Sequence, residues 1–167
     1  MRRERKVLSA MILALVACSL DPIAFAPDHA LAVQRIALEA GLADQRRHTP
    51  SASITLDQRS VPRWAGRPGS PAALEPVARS LGIGVSGPGD SGKCIEYGGS
   101  PVCGLDRYRV VMAVAAARLE GKSATVEVFS FYRSESPPDG LSMGIAEYSL
   151  RMMNGRWQVV EIWLTAQ

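Results

Sequence analysis

Histidine is nearly missing from this sequence of 167 residues, with two, and cysteine is scarce, with three. Transition-metal centres draw on several such side chains at close spacing, and His29, His48, Cys18, Cys94 and Cys103 do not supply that spacing, so neither a metal nor a cofactor is expected. Aromatic residues make up 6% of the chain and are not interleaved with its basic clusters, Arg46-Arg47-His48 and Arg107/Arg109. Lys and Arg exceed Asp and Glu by 19 to 16, and that small surplus argues against a nucleic-acid partner. There is no internal repeat and no low-complexity segment. The run from Val7 to Leu20 is largely apolar but only 14 residues long, short of the roughly 20 that a spanning helix needs.

That run has the anatomy of an export leader. A basic head (Met1–Lys6) precedes it, and Asp21-Pro22 closes it. Two ends of the leader compete. Leu15-Val16-Ala17-Cys18 resembles the lipobox of bacterial lipoproteins, in which Cys18 would carry the lipid and anchor the protein to a membrane. Ordinary cleavage would use the small residues of Ala24-Phe25-Ala26 or Ala30-Leu31-Ala32. Pro27 hinders the first, and the second falls inside a predicted helix. The protein is thus expected to be exported, either periplasmic or a membrane-anchored lipoprotein. Residues 1–26 would be leader and tether, and residues 27–167 a single domain.

In an oxidising compartment the two cysteines left after the leader, Cys94 and Cys103, pair most simply as a disulfide. Gly98-Gly99-Ser100-Pro101 between them can reverse the chain. A redox motif would have two intervening residues, and zinc would need further ligands.

Apolar periodicity organises the rest, which at 47% apolar and 21% charged can fill one core. Ala32, Val33, Ile36, Ala37 and Ala40 recur at helical steps over 28–45, with Asp28 as a candidate N-cap and Gly41 as a weak point. Ser51–Asp57 alternates as a short strand, and 59–70 reads as a connection with Trp64 tucked against the body. Pro71–Leu81 suits a second helix with Ser70 as cap and Gly82 as stop, although Pro76 would kink it or delay its start. A loop follows over 82–92, with a short extended piece at 83–85. Strands are expected over 108–119 and from Ala124 to Arg133, then around 146–152. Asn154-Gly155 is a type I′ turn signal, so Arg156–Thr165 should return alongside. The expected fold is therefore α+β, with two helices packed on a curved antiparallel sheet that ends in a four-stranded meander and has one apolar face.

The order of elements and the closing run Asn154–Trp163 (NGRWQVVEIW) resemble the nuclear transport factor 2-like and cystatin-like cone folds. That resemblance implies helices packed into a bent sheet. It also implies either a small isomerase, cyclase or dehydratase with pocket Asp and His residues, or a non-catalytic binding domain.

Two local motifs fall short of their chemistry. Gly87–Cys94 (GPGDSGKC) approximates a phosphate loop but has Cys94 where a magnesium-binding hydroxyl is required, and no helix is expected after it. Gly89-Asp90-Ser91-Gly92 resembles a serine-protease nucleophile segment, with His48 and Asp57 in the matching order, but the chain is too short for two barrels. The leading expectation is a non-catalytic exported module that binds a small apolar ligand or a protein partner. Its pocket candidates are Tyr148, Trp157, Glu161 and Trp163, with Tyr97 and Trp64 as further aromatics. The alternative is a small cone-fold enzyme using Asp57, Glu147 or Glu161 as general base, with Glu161 placed on the face of Trp157 and Trp163 by simple alternation.

Overall fold

The computed structural model describes residues 27–65, 71–87, 93–133 and 140–166. Cys18, Ser70, Ser91 and most of the glycine-rich loop lie outside the described residues. The elements run α1 (Pro27–His48), β1 (Ser53–Leu56), two 3-10 turns (Gln58–Ser60 and Arg63–Ala65), α2 (Pro71–Ser80), β2 (Gly84–Val85), β3 (Cys94–Tyr97) and β4 (Ser100–Cys103). They continue with β5 (Arg109–Val114), β6 (Arg118–Glu120), β7 (Ser123–Arg133), β8 (Leu141–Met153) and β9 (Arg156–Ala166). The class is α+β, with a mostly antiparallel sheet ordered β2-β1-β5-β7-β8-β9 and β6 also paired to β7. Its antiparallel character breaks at one edge, where β1 runs parallel to both β2 and β5.

Helix α1 crosses the sheet with Val33, Ala37, Leu38 and Leu42 buried, a spacing that keeps one helical stripe inward. The helix runs unbroken through Gly41 to His48, and Gly41 packs close against the sheet. A Cβ there would lie 3.2 Å from Met112 Cε and 3.2 Å from Val128 Cγ1. Helix α2 forms with Pro76 inside it, so the helix begins at Pro71 and not at the proline.

The strand expected over 108–119 is divided, and the reason is a change of hydrogen-bond partner at its middle. Beyond Leu56, β1 no longer borders β5, and the Gln58 side chain takes its place. Its Nε2 donates to Val114 O (2.9 Å) and its Oε1 accepts from Val114 N (2.8 Å), while Gln34 Nε2 donates to Ala115 O (2.8 Å). Buried amides thus satisfy the main chain where the ladder ends.

The expectation of one apolar face is also corrected. Val110, Met112, Val114, Val126, Val128, Tyr148 and Leu150 pack beneath the helices, whereas Val111, Ala113, Phe129, Phe131 and Met143 form a second core on the opposite side. The β3–β4 hairpin covers that side. The predicted disulfide is present, with Cys94 directly opposite Cys103, and Gly98 and Gly99 turn the hairpin at φ of 57° and 77°. Ser100 Oγ donates to Val61 O (2.7 Å), Arg63 N to Gly98 O (3.0 Å), and Tyr97 meets Phe131 edge-on at 5.9 Å. Trp64, 54% exposed, also packs edge-on, at 5.5 Å from Phe129.

The Asn154-Gly155 turn joins β8 to β9 with both residues at positive φ, as the sequence predicts. Within that hairpin Leu150 faces Val159 and Ser149 faces Glu161, so Val160 has no opposite residue. A one-residue bulge exchanges the faces of everything beyond it.

Candidate functional site

The Val160 bulge decides where the expected pocket residues go. Before it, Trp157 lies opposite Met152 on the helix-covered face, where its Nε1 donates to His29 Nδ1 (3.1 Å). Tyr148 is buried on the same face. Past the bulge, Trp163 lies opposite Glu147, and Glu147 opposite Glu127, on the other face. Glu161 is exposed. The four residues are therefore not brought into one pocket, and the alternation that put Glu161 beside both tryptophans fails at Val160.

The carboxylates considered as general bases are placed differently from one another. Asp57 is fully buried and accepts from Arg59 through Nε (2.9 Å), Nη2 (2.7 Å) and the main-chain N (3.0 Å), capping the first 3-10 turn. Glu147 stands in a like-charge cross-strand pair with Glu127. Burial first, and the Glu147 charge beside it, push the Glu127 carboxyl above its ordinary range, while Arg118 pulls the other way. None of Asp57, Glu147 and Glu161 lines either of the grooves described next.

The site with the clearest shape forms where α1 ends. Its buried stripe stops at Leu42, and beneath the last turn the sheet presents small residues, Gly144 and Ala146 of β8. Space that larger side chains would fill is left as a groove of about 410 Å³, within the usual range of small-molecule sites. Tyr132 of β7 and Leu164 of β9 form walls, and Asp44 and His48 stand on the helical rim. The rim is ordered by its own bonds. His48 Nδ1 lies 3.0 Å from Asp44 O and 3.6 Å from Asp44 Oδ2, and Arg47 Nη2 donates to Asp44 Oδ1 (3.3 Å). The groove has a chiefly apolar floor with a carboxylate and an imidazole at one end.

Below the rim, the Tyr148 phenol is pushed up to about 12. Burial is the main cause and the Asp44 charge adds to it, while Arg47 opposes. A second groove of about 520 Å³ lies beside β1 and β2, with Arg46 and Arg109 among its lining. Both arginines donate to main-chain carbonyls, Arg46 to Leu81 O (2.8 Å) and Arg109 to Gly104 O (3.2 Å). It has no carboxylate or imidazole in its lining, unlike the first groove.

Sequence reasoning placed His48 in the basic cluster Arg46-Arg47-His48 and in an incomplete protease pattern, and not beside Asp44. The missed signals were Asp44 and His48 at helical spacing, and the pair of small residues, Gly144 and Ala146, two apart on one strand. No protein-family model, no curated protein and no solved structure matches this chain. No described helix is long and apolar enough to cross a membrane, and no described cluster of His, Cys, Asp and Glu could hold a metal ion.

Proposed function

We propose that this chain is a non-catalytic binding module of an exported protein, and that its site is the groove at the end of α1. The observation that carries this reading is the coincidence of an apolar floor (Gly144, Ala146, Leu164) with a polar rim (Asp44, His48) in a cavity of about 410 Å³. Such a site takes a small, mainly apolar molecule with one hydrogen-bonding or cationic end, the body lying on β8 and the polar end meeting Asp44. The strands β5, β7, β8 and β9 act as the four-stranded meander of a cone-like fold, the arrangement to which the sequence has its resemblance. Export is supported by the basic, apolar leader and by the Cys94–Cys103 bridge. Cys18 is the proposed lipid anchor. Labelling with a fatty-acid analogue should mark the native chain and not Cys18→Ser, and an unlabelled native chain excludes the anchor.

A cone-fold enzyme has less support, because Asp57 is held by Arg59 and none of the three candidate carboxylates lines the groove. The binding reading is tested by filling the groove. A Cβ on Gly144 meets no atom within 4 Å, so Gly144→Leu should fold normally while occupying the ligand space. Titration with an uncharged fluorophore bearing one N–H donor, N-phenyl-naphthylamine, should show binding to the native chain and at least a tenfold loss in Gly144→Leu at unchanged melting temperature. Equal binding by both chains removes the groove from consideration.

A further inference from the structure

Strand β9 is the last in the sheet, and no described strand pairs with its outer edge. Natural edge strands are usually short or protected by charge, proline or bulges against pairing with another chain. Here the edge is 11 residues long, its bulge lies at Val160, and from Ile162 to Ala166 it carries neither charge nor proline. Val160, Ile162, Trp163 and Leu164 are 50%, 49%, 61% and 68% exposed. Because α1 lies over Trp157 at the start of β9, with His29, and its final turn stops at the groove rim, Ile162 and Leu164 stand clear of it on the helix side. Trp163 stands exposed on the other.

We infer that this edge pairs with β9 of a second copy of the chain, antiparallel, about a two-fold axis at Trp163. An antiparallel strand pair with two-fold symmetry must place one residue opposite itself, and the sequence discriminates among the choices. Centring on Glu161 sets two carboxylates against each other, which is repulsive. Centring on Ile162 sets Glu161 against Trp163. Centring on Leu164 sets Trp163 against Thr165, whereas centring on Trp163 sets the large apolar residues against one another and keeps the two carboxylates apart. Ile162 meets Leu164 of the second copy and Leu164 meets its Ile162 on the helix side, Trp163 meets its own counterpart on the other face, and Glu161 meets a threonine hydroxyl at 165.

A second copy brings the same uncharged stretch from Ile162 to Ala166, so self-pairing buries no charge at its centre. Pairing would cover Ile162, Trp163 and Leu164, three large apolar side chains that are about half exposed or more in one copy. Together with main-chain pairing this contact belongs at the small end of specific interfaces, below about 1,200 Å² in total, so the dimer should dissociate on dilution. The pairing also completes the groove. Leu164 and Thr165 line it, so Ile162 of the second copy, seated against Leu164, adds a wall that one copy lacks. The dimer does not depend on the identity of any ligand.

The test is sedimentation of the full chain over a wide concentration range, beside Ile162→Lys/Leu164→Lys. The native chain should pass from one to two copies as concentration rises, and the double variant should associate at least tenfold more weakly with an unchanged melting temperature. A second arm introduces one cysteine at or beside the axis in a Cys18→Ser background. Trp163→Cys should give an interchain disulfide under oxidation, and Glu161→Cys should not. A native chain that stays monomeric at the highest concentration overturns the proposal. So does a dimer indifferent to the two lysines, or cross-linking at 161 in place of 163, and a monomer whose edge instead binds vesicles or an added peptide strand also overturns it.

Discussion

The middle of the sheet and its C-terminal corner are built from similar residues and end in opposite states. In β5 and β7, Val110, Met112 and Val128 are sealed under the helices, while Val111, Ala113 and Phe129 are sealed under the disulfide hairpin. In β9 past Val160, apolar residues emerge on both faces and meet neither layer. Covering layers decide which apolar residues stabilise the fold and which remain for recognition, and hydropathy alone does not distinguish them. Stability should therefore concentrate in the middle, and binding in the corner.

Five variants and one titration probe that division. Phe129→Ala, in the closed middle, should cost about 3–5 kcal/mol in denaturant unfolding. Removing the bridge with Cys94→Ala/Cys103→Ala should cost about 2–3 kcal/mol by the loop-entropy argument, the loosened hairpin exposing the second core. A loss below about 0.5 kcal/mol in either case would mean that the hairpin side is not a true core. Alkaline titration reads the boundary between the regions. The Tyr148 phenol has its folded value raised to about 12, so its contribution to stability is complete below the ordinary value near 10 and is lost as pH rises towards 12. Tyr148→Phe should flatten that decline, and ultraviolet titration should show a late-ionising phenol that the substitution removes.

Glu127 works in the unfavourable direction at neutral pH. Its raised folded value means that its contribution is present below the ordinary carboxylate range and lost as pH rises through the folded value. Glu127→Gln should therefore gain about 0.2–1 kcal/mol at pH 7, the scale of a cross-strand pair, and nothing in acid. The smallest effect is expected at the corner. Leu164→Ser should change stability by no more than about 0.5 kcal/mol while weakening probe binding and self-association.

The C-terminal third was the most legible part of the sequence, because alternation and the Asn154-Gly155 turn are local signals with direct structural meanings. The Cys94–Cys103 bridge was legible for the same reason, since two cysteines flanked a glycine turn. The second core was not. Val110–Ala117 is almost wholly apolar, a pattern that fits burial on both sides as well as a strand with small residues facing outward, and the covering hairpin could not be assigned from spacing. The candidate site was hidden by two nonlocal facts. One is the Val160 bulge, which separates Trp157 from Glu161 and Trp163 although simple alternation groups them. The other is that a groove arises from what is missing, here the side chains absent at Gly144 and Ala146 beneath the last turn of α1.

The most direct test of this division is a resonance map of the folded domain during titration with a small apolar ligand such as indole. The account predicts shifts at Gly144, Ala146, Leu164 and Thr165 that saturate together, with β3, β4 and the Phe129 surroundings unmoved. Saturable shifts centred on the disulfide hairpin, with the corner silent, would contradict it.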